Sequence, residues 1–159
     1  MRKPIDMPSG WRPAFSLIEL MVVLAIIGLL AAMLMPALHG FVVRTKRVQA
    51  QAALLQLMQQ QERYYSQHNT YLAFSSGSAS TDPQQLRFKW WSGDTALTSA
   101  YEIQASACSN ATLADCVLLQ AIPGTAQVDA HFTDADCGTL SVNSRGVQAA
   151  SGPAPRCWP

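Results

Sequence analysis

Charge is what this sequence has least of. Only 13% of its 159 residues are Asp, Glu, Lys or Arg, and the signs nearly cancel, eleven basic against ten acidic. A net charge of +1 supplies no global basic field for a nucleic-acid partner. Disorder is excluded by the same figures, because 49% of the residues are hydrophobic and so little charge cannot keep such a chain expanded. Catalytic signatures are missing as well: there is no Gly-x-Ser-x-Gly, no phosphate-cradling glycine loop and no His-Glu-x-x-His. His39, His68 and His131 lie far apart, and none is within a few residues of a cysteine. No two cysteines are in Cys-x-x-Cys spacing, so no zinc site of ordinary pattern exists and no cofactor is implied.

What is present is distributed unevenly. Leu20 to Leu38 runs nineteen residues without a charge. As a helix it reaches roughly 29 Å, close to the ~30 Å hydrocarbon core of a bilayer. A buried core helix would carry a polar stripe, and a secretory signal's apolar region is shorter, about 7–15 residues. The run therefore reads as a retained membrane segment. Flanking charge does not orient it, since Arg2, Lys3 and Arg12 on one side match Arg44, Lys46 and Arg47 on the other. The cysteines do: Cys108, Cys116, Cys137 and Cys157 all follow the run. An even number of them in the polar part reads as two disulfides in an oxidising compartment, with the leader in the cytoplasm. Four cysteines allow three pairings.

Glu19 sits at the edge of the run. A carboxylate bordering hydrocarbon is a functional candidate, although a helix N-terminus at headgroup level would also favour it. If the chain were cut before Phe15, the new α-amino group could pair with Glu19 of a neighbouring subunit. Beyond the run, Val43, Ala50, Leu54, Leu57, Gln61 and Tyr64 recur with the period of one helix face. They predict a continuing helix to about Gln67 that packs on its own globular head. Residues 67–86 have loop composition. Alternation predicts a strand at Tyr101–Ala107 and another at Arg87–Trp91, with Phe88 and Trp90 on one face. The apolar run Cys116–Ile122 and the alternating Gly138–Asn143 predict further strands, and a turn at Asn143–Gly146 leads to a return starting at Val147. The fold class expected is α+β, a long N-terminal helix laid on a small antiparallel sheet.

The stretch Phe15 to Pro36, FSLIELMVVLAIIGLLAAMLMP, resembles the N-terminal signature of type IV pilins, and it is similar in the pseudopilins of type II secretion. The Glu62–Phe74 pattern again resembles type IV pilins, and the text CGTLSVNSRGV…CW resembles the small minor pilins of the PilE type. The resemblance implies a leader of residues 1–14, an assembly helix over 15–40 and a head over 41–159. It implies cleavage between Ala14 and Phe15 by prepilin peptidase, N-methylation of Phe15, and Glu19 matched to that amine in the filament. The family usually has Gly before the cut, and Ala14 is the next smallest residue. Gly28 and Pro36 mark where the helix could loosen, Pro36 because it removes a hydrogen bond and crowds the preceding turn. Among the possible pairings, Cys137–Cys157 resembles the disulfide-closed C-terminal region of the family, which leaves Cys108–Cys116 to close a short loop.

The function implied is that of a minor pilin, a structural subunit of a type IV pilus serving assembly and hence twitching motility or adhesion. The alternatives are a pseudopilin of type II secretion and a DNA-uptake pilin. The implied partners are other pilin subunits, prepilin peptidase, the inner-membrane assembly platform and the membrane itself. Localisation would be a single pass in the inner membrane with a periplasmic head, then the extracellular pilus. Nucleic acid is disfavoured: Arg87-Phe88-Lys89-Trp90-Trp91 interleaves basic and aromatic residues, but residues 64–159 hold four basic residues against seven acids. Asp129, His131, Asp134 and Asp136 form the one acidic cluster, which reads as a solvated turn rather than a metal site.

Overall fold

The computed structural model describes residues 16–77 and 83–158, with the side chains of 33–37 outside the description. Two compact units are distinguished, Met1–Gly40 and Phe41–Pro159. Helix α1, Leu17–His68, contributes to both, and its helical backbone runs without interruption through Gly28 and Pro36. Its first turn holds Glu19, and the Ser16 carbonyl accepts the Leu20 N–H at 3.2 Å. It ends where Asn69 turns left-handed at φ +55, its N–H bonded to the Tyr65 carbonyl at 2.8 Å. Asn is one of the few residues that tolerates this capping conformation.

In the first unit the described helix buries nothing. Leu17, Ile18, Leu20, Met21, Leu24, Ile27 and Leu30 are all exposed. Among the described residues no helix is long and apolar enough to cross a membrane. The nineteen-residue apolar run includes 33–37, whose side chains lie outside the description.

The second unit has the expected stripe. Ala50, Leu54, Leu57 and Gln61 are buried, and Val43 and Tyr64 are half-buried. They face a four-stranded antiparallel meander of β1 (Tyr101–Ala107), β2 (Val117–Pro123), β3 (Leu140–Asn143) and β4 (Gln148–Ala150), with neighbours in chain order. Register sets Ile103 opposite Ala121 and Ala105 opposite Leu119. Leu119 in turn faces Val142, and Ala121 faces Leu140. These inward residues join the helix stripe, Phe74 and Phe88 in one core. Phe74 and Phe88 stack at 5.2 Å. The β3–β4 turn uses Asn143 as its acceptor, the side-chain oxygen taking the N–H groups of Arg145 and Val147 at 3.0 and 2.9 Å, with Gly146 at φ +80.

One expected strand is absent. Gln85–Arg87 forms a 3-10 turn, and the 87–91 stretch makes only an isolated bridge, Trp91 to Glu102. The reason is competition for the β1 edge. Phe74 exchanges both backbone bonds with Ala105, at 3.2 and 2.8 Å. Only Tyr101 to Ile103 remain for the second segment, through Ser92 N–H to Tyr101 at 3.1 Å and Ile103 N–H to Trp90 at 2.7 Å. Two short pieces cover the edge that one strand would have covered, and an edge so blunted resists pairing with other chains.

Candidate functional site: an uncovered helix, a buried ion pair and a basic trough

Ala14 and Phe15 lie outside the described residues. Glu19 is exposed in the first turn of α1. A carboxylate there is favoured by the unpaired N–H groups of the helix start. Within the second unit the face of α1 turned away from the sheet is not polar throughout. Phe41, Val48 and Leu55 follow one another at intervals of seven residues and are 69%, 56% and 44% exposed. Seven residues make about two turns, so these side chains form one apolar row along the helix.

The opposite side of the helix carries the head's charged centre. Arg47 donates through Nε to Asp134 Oδ2 at 2.8 Å and through Nη2 to Oδ1 at 2.7 Å. The Asp134 side chain is fully buried and Arg47 nearly so. Tyr101 donates its hydroxyl to Asp134 at 2.5 Å, and the Cys137 N–H reaches the same carboxylate at 3.1 Å. Burial pushes the Asp134 carboxyl up, but the hydrogen bonds from Arg47, Tyr101 and Cys137 outweigh it and hold it below the ordinary carboxylate range. Burial and the same carboxylate raise the Tyr101 phenol well above its usual value. The solvated-turn reading of the acidic cluster is thereby corrected. Asp129, His131 and Asp136 are exposed, but Asp134 is the anion of a buried pair. Its partner is 87 residues away in sequence, where no local pattern could reveal it. Among the described residues no group of three or more His, Cys, Asp or Glu side chains is arranged to hold a metal ion.

Two disulfides close the head, Cys108–Cys116 across the β1–β2 connection and Cys137–Cys157 across the C-terminal segment. At the far end of α1, Gln61 pairs with the backbone of Leu72 in both directions, donating at 2.6 Å and accepting at 3.0 Å. Tyr71 donates to Glu62 at 2.9 Å.

Between α1 and the segment before β1 runs a trough of two adjoining hollows, about 240 and 160 Å³, that share Gln60. Its charged lining is Arg63, Arg87 and Lys89, with no acid among the lining residues. Trp91 and Phe88 line it, and the Tyr64 and His68 rings stack against each other at 4.0 Å beside it. Lys89 lies over the Trp91 ring at 5.6 Å. The excess of acids over residues 64–159, seven against four basic residues, conceals this local concentration of cations, and that range leaves out Arg63.

Residues 36–141 match the family described as type IV minor pilin ComP, DNA uptake sequence receptor, and residues 13–35 match the prokaryotic N-terminal methylation motif. The type IV major pilin protein PilA of Myxococcus xanthus is 40% identical over 62 residues, which cover 39% of this chain and 28% of that protein. A type IV pilin from Shewanella oneidensis is 25% identical with a TM-score of 0.44, covering 74% of this chain and 98% of that one. The non-core minor pilin PilV of Neisseria meningitidis is 22% identical with a TM-score of 0.44, covering 72% and 94%. The first of these matches takes in the outer half of the helix, the trough and the sheet through Leu140, well over half of the chain, and the chain belongs to that family of type IV minor pilins.

Proposed function

We propose that the chain is a minor subunit of a type IV pilus, stored in the inner membrane by its apolar helix, cut between Ala14 and Phe15, and built into the filament with Glu19 paired to a neighbour's methylated amine. The observation that carries this reading is the uncovered apolar surface of α1. Every large apolar side chain described between Leu17 and Leu30 is exposed, and within the second unit the row Phe41, Val48, Leu55 is exposed as well. Removing such surface from water is the principal driving force available for association. Lipid covers it in the stored state, and neighbouring helices cover it in the fibre. Pairing of Glu19 with a cation is what makes its burial among those helices tolerable. Glu19→Ala is expected to remain in the membrane fraction and be absent from sheared pili. Normal recovery in pili would overturn the assembly mechanism.

A second reading, capture of DNA, is favoured by the trough and by the description of the matched family as a DNA uptake sequence receptor. Cations interleaved with aromatic rings are the elements a nucleic-acid strand uses, phosphates on the first and bases on the second. The purified protein is expected to retard DNA at low salt, with affinity declining as salt rises and with Arg87→Glu or Lys89→Glu weakening it. Unretarded DNA at low salt would remove this reading and leave the first intact.

A further inference from the structure

Two disulfides close this head, and they are held in different ways. Cys108 and Cys116 are 8 residues apart, and their own backbone bond, Cys108 N–H to the Cys116 carbonyl at 3.2 Å, lies inside the loop they close. Cys137 and Cys157 are 20 residues apart, and each is tied to the same stretch of α1. Arg47 forks onto Asp134, whose side chain takes the Cys137 N–H at 3.1 Å and whose carbonyl takes the Gly138 N–H at 2.8 Å. One turn along the helix, Gln51 donates from Nε2 to the Cys157 carbonyl at 2.5 Å. Residues four apart stand on one helix face. The backbone ladder that follows β4 continues through Ser151, Gly152 and Ala154, bonded to Thr139, Cys137 and Asp136, and Gln51 supplies the bond at Cys157 itself. Gly152 lets the two segments approach, since a Cβ there would meet the Asp136 carbonyl at 2.2 Å.

We propose that α1 is the template on which the Cys137–Cys157 disulfide forms: Arg47, through Asp134, and Gln51 hold the two cysteine-bearing segments together while both are still thiols. Arg47 and Gln51 are positioning residues and take no part in the exchange chemistry. With a small disulfide such as oxidised glutathione as the oxidant, one protein thiolate attacks it, forming a mixed disulfide and releasing one glutathione thiolate. The second protein thiolate attacks the protein-side sulfur and releases the other. Two thiols are oxidised, one disulfide is reduced, and the protons leave with the thiolates formed. The template acts on the second, intramolecular step, whose rate follows the effective concentration of one thiol at the other. Holding both segments on the helix also disfavours the two wrong pairings with Cys108 and Cys116.

The test follows reoxidation of the reduced, detergent-solubilised full chain in a glutathione buffer, with acid quenching and mass-spectrometric mapping of each pair. Gln51→Leu keeps most of the side-chain volume and removes the amide that donates to Cys157, and Arg47→Lys keeps the charge but loses the fork. Each is expected to lower the effective concentration for Cys137–Cys157 by about 10-fold, as loss of one good hydrogen bond does. Cys108–Cys116 should form at the wild-type rate in both, as should both pairs in Gln59→Leu on the exposed side of the helix. In concentrated urea, where the helix is gone, the difference between variant and wild type should vanish. Unchanged pairing in both Gln51→Leu and Arg47→Lys would overturn the template, and so would a parallel fall in both disulfides, which marks general loss of structure.

Discussion

Helix α1 contains two stretches that obey different rules. From Leu17 to Ala32 every described position is exposed, and apolar residues occupy all sides of the helix. From Phe41 to Tyr64 one side is core, centred on Ala50, Leu54 and Leu57, and the other carries glutamines with the apolar row Phe41, Val48, Leu55. The difference lies in what each stretch has to cover it. The outer stretch brings its own sheet. The inner stretch is apolar all round, a pattern that only a surrounding apolar medium or several neighbouring helices can satisfy. A single element is thus written for two solvents, and the charged centre at Arg47 stands near the start of the part written for water.

That contrast can be broken most forcefully at the ion pair. Asp134→Ala takes the shared acceptor away from the Arg47 guanidinium, the Tyr101 hydroxyl and the Cys137 N–H, and should cost about 3–5 kcal/mol of head stability, measured by urea denaturation. The pH dependence sharpens the same point. Because the folded Asp134 carboxyl is held below its unfolded value, its contribution is fully present above the unfolded value and is lost as pH falls through the folded one. The stability gap between wild type and Asp134→Asn should therefore be widest above the ordinary carboxylate range and close as acid is added. The next effect compares neighbours. Leu54 is fully buried and Leu55 is 44% exposed. Leu54→Ala should cost about 2–5 kcal/mol. Leu55→Ala, the smallest effect, should change stability by less than about 0.5 kcal/mol. Leu55→Ala should nevertheless reduce incorporation into sheared pili, and poor incorporation with unchanged head stability would place the defect in packing between subunits.

Periodicity carried much of the fold. The helix stripe and the strands at Tyr101–Ala107, Val117–Pro123 and Leu140–Asn143 were legible because burial alternates or recurs at fixed intervals in the sequence. The signal failed at Arg87–Trp91, where alternation is present but two segments share one sheet edge, a fact of topology and not of local pattern. It failed again at Asp134. Four acidic or imidazole side chains within eight residues describe a solvated turn, and only the folded chain brings Arg47 and Tyr101 to one of them. The trough escaped notice for a similar reason. Its cations come from α1, from the 3-10 turn and from the segment after it, and a net charge sums them with distant acids.

The pairing of Gln61 with Leu72 has a consequence for how freely the head can vary. The side-chain amide presents one donor and one acceptor, as a peptide group does, so the helix itself acts as a one-residue sheet edge for the returning chain. Together with the Phe74–Ala105 bridge, it fixes the path of residues 71–74, and the Phe74–Phe88 stack fixes the next point of attachment. Among the described residues between those two anchors, 75–77 and 83–87, none belongs to the buried core. Length and composition there can drift or accept insertions at little cost, which lets one scaffold present different surfaces while its helix, sheet and ion pair stay the same.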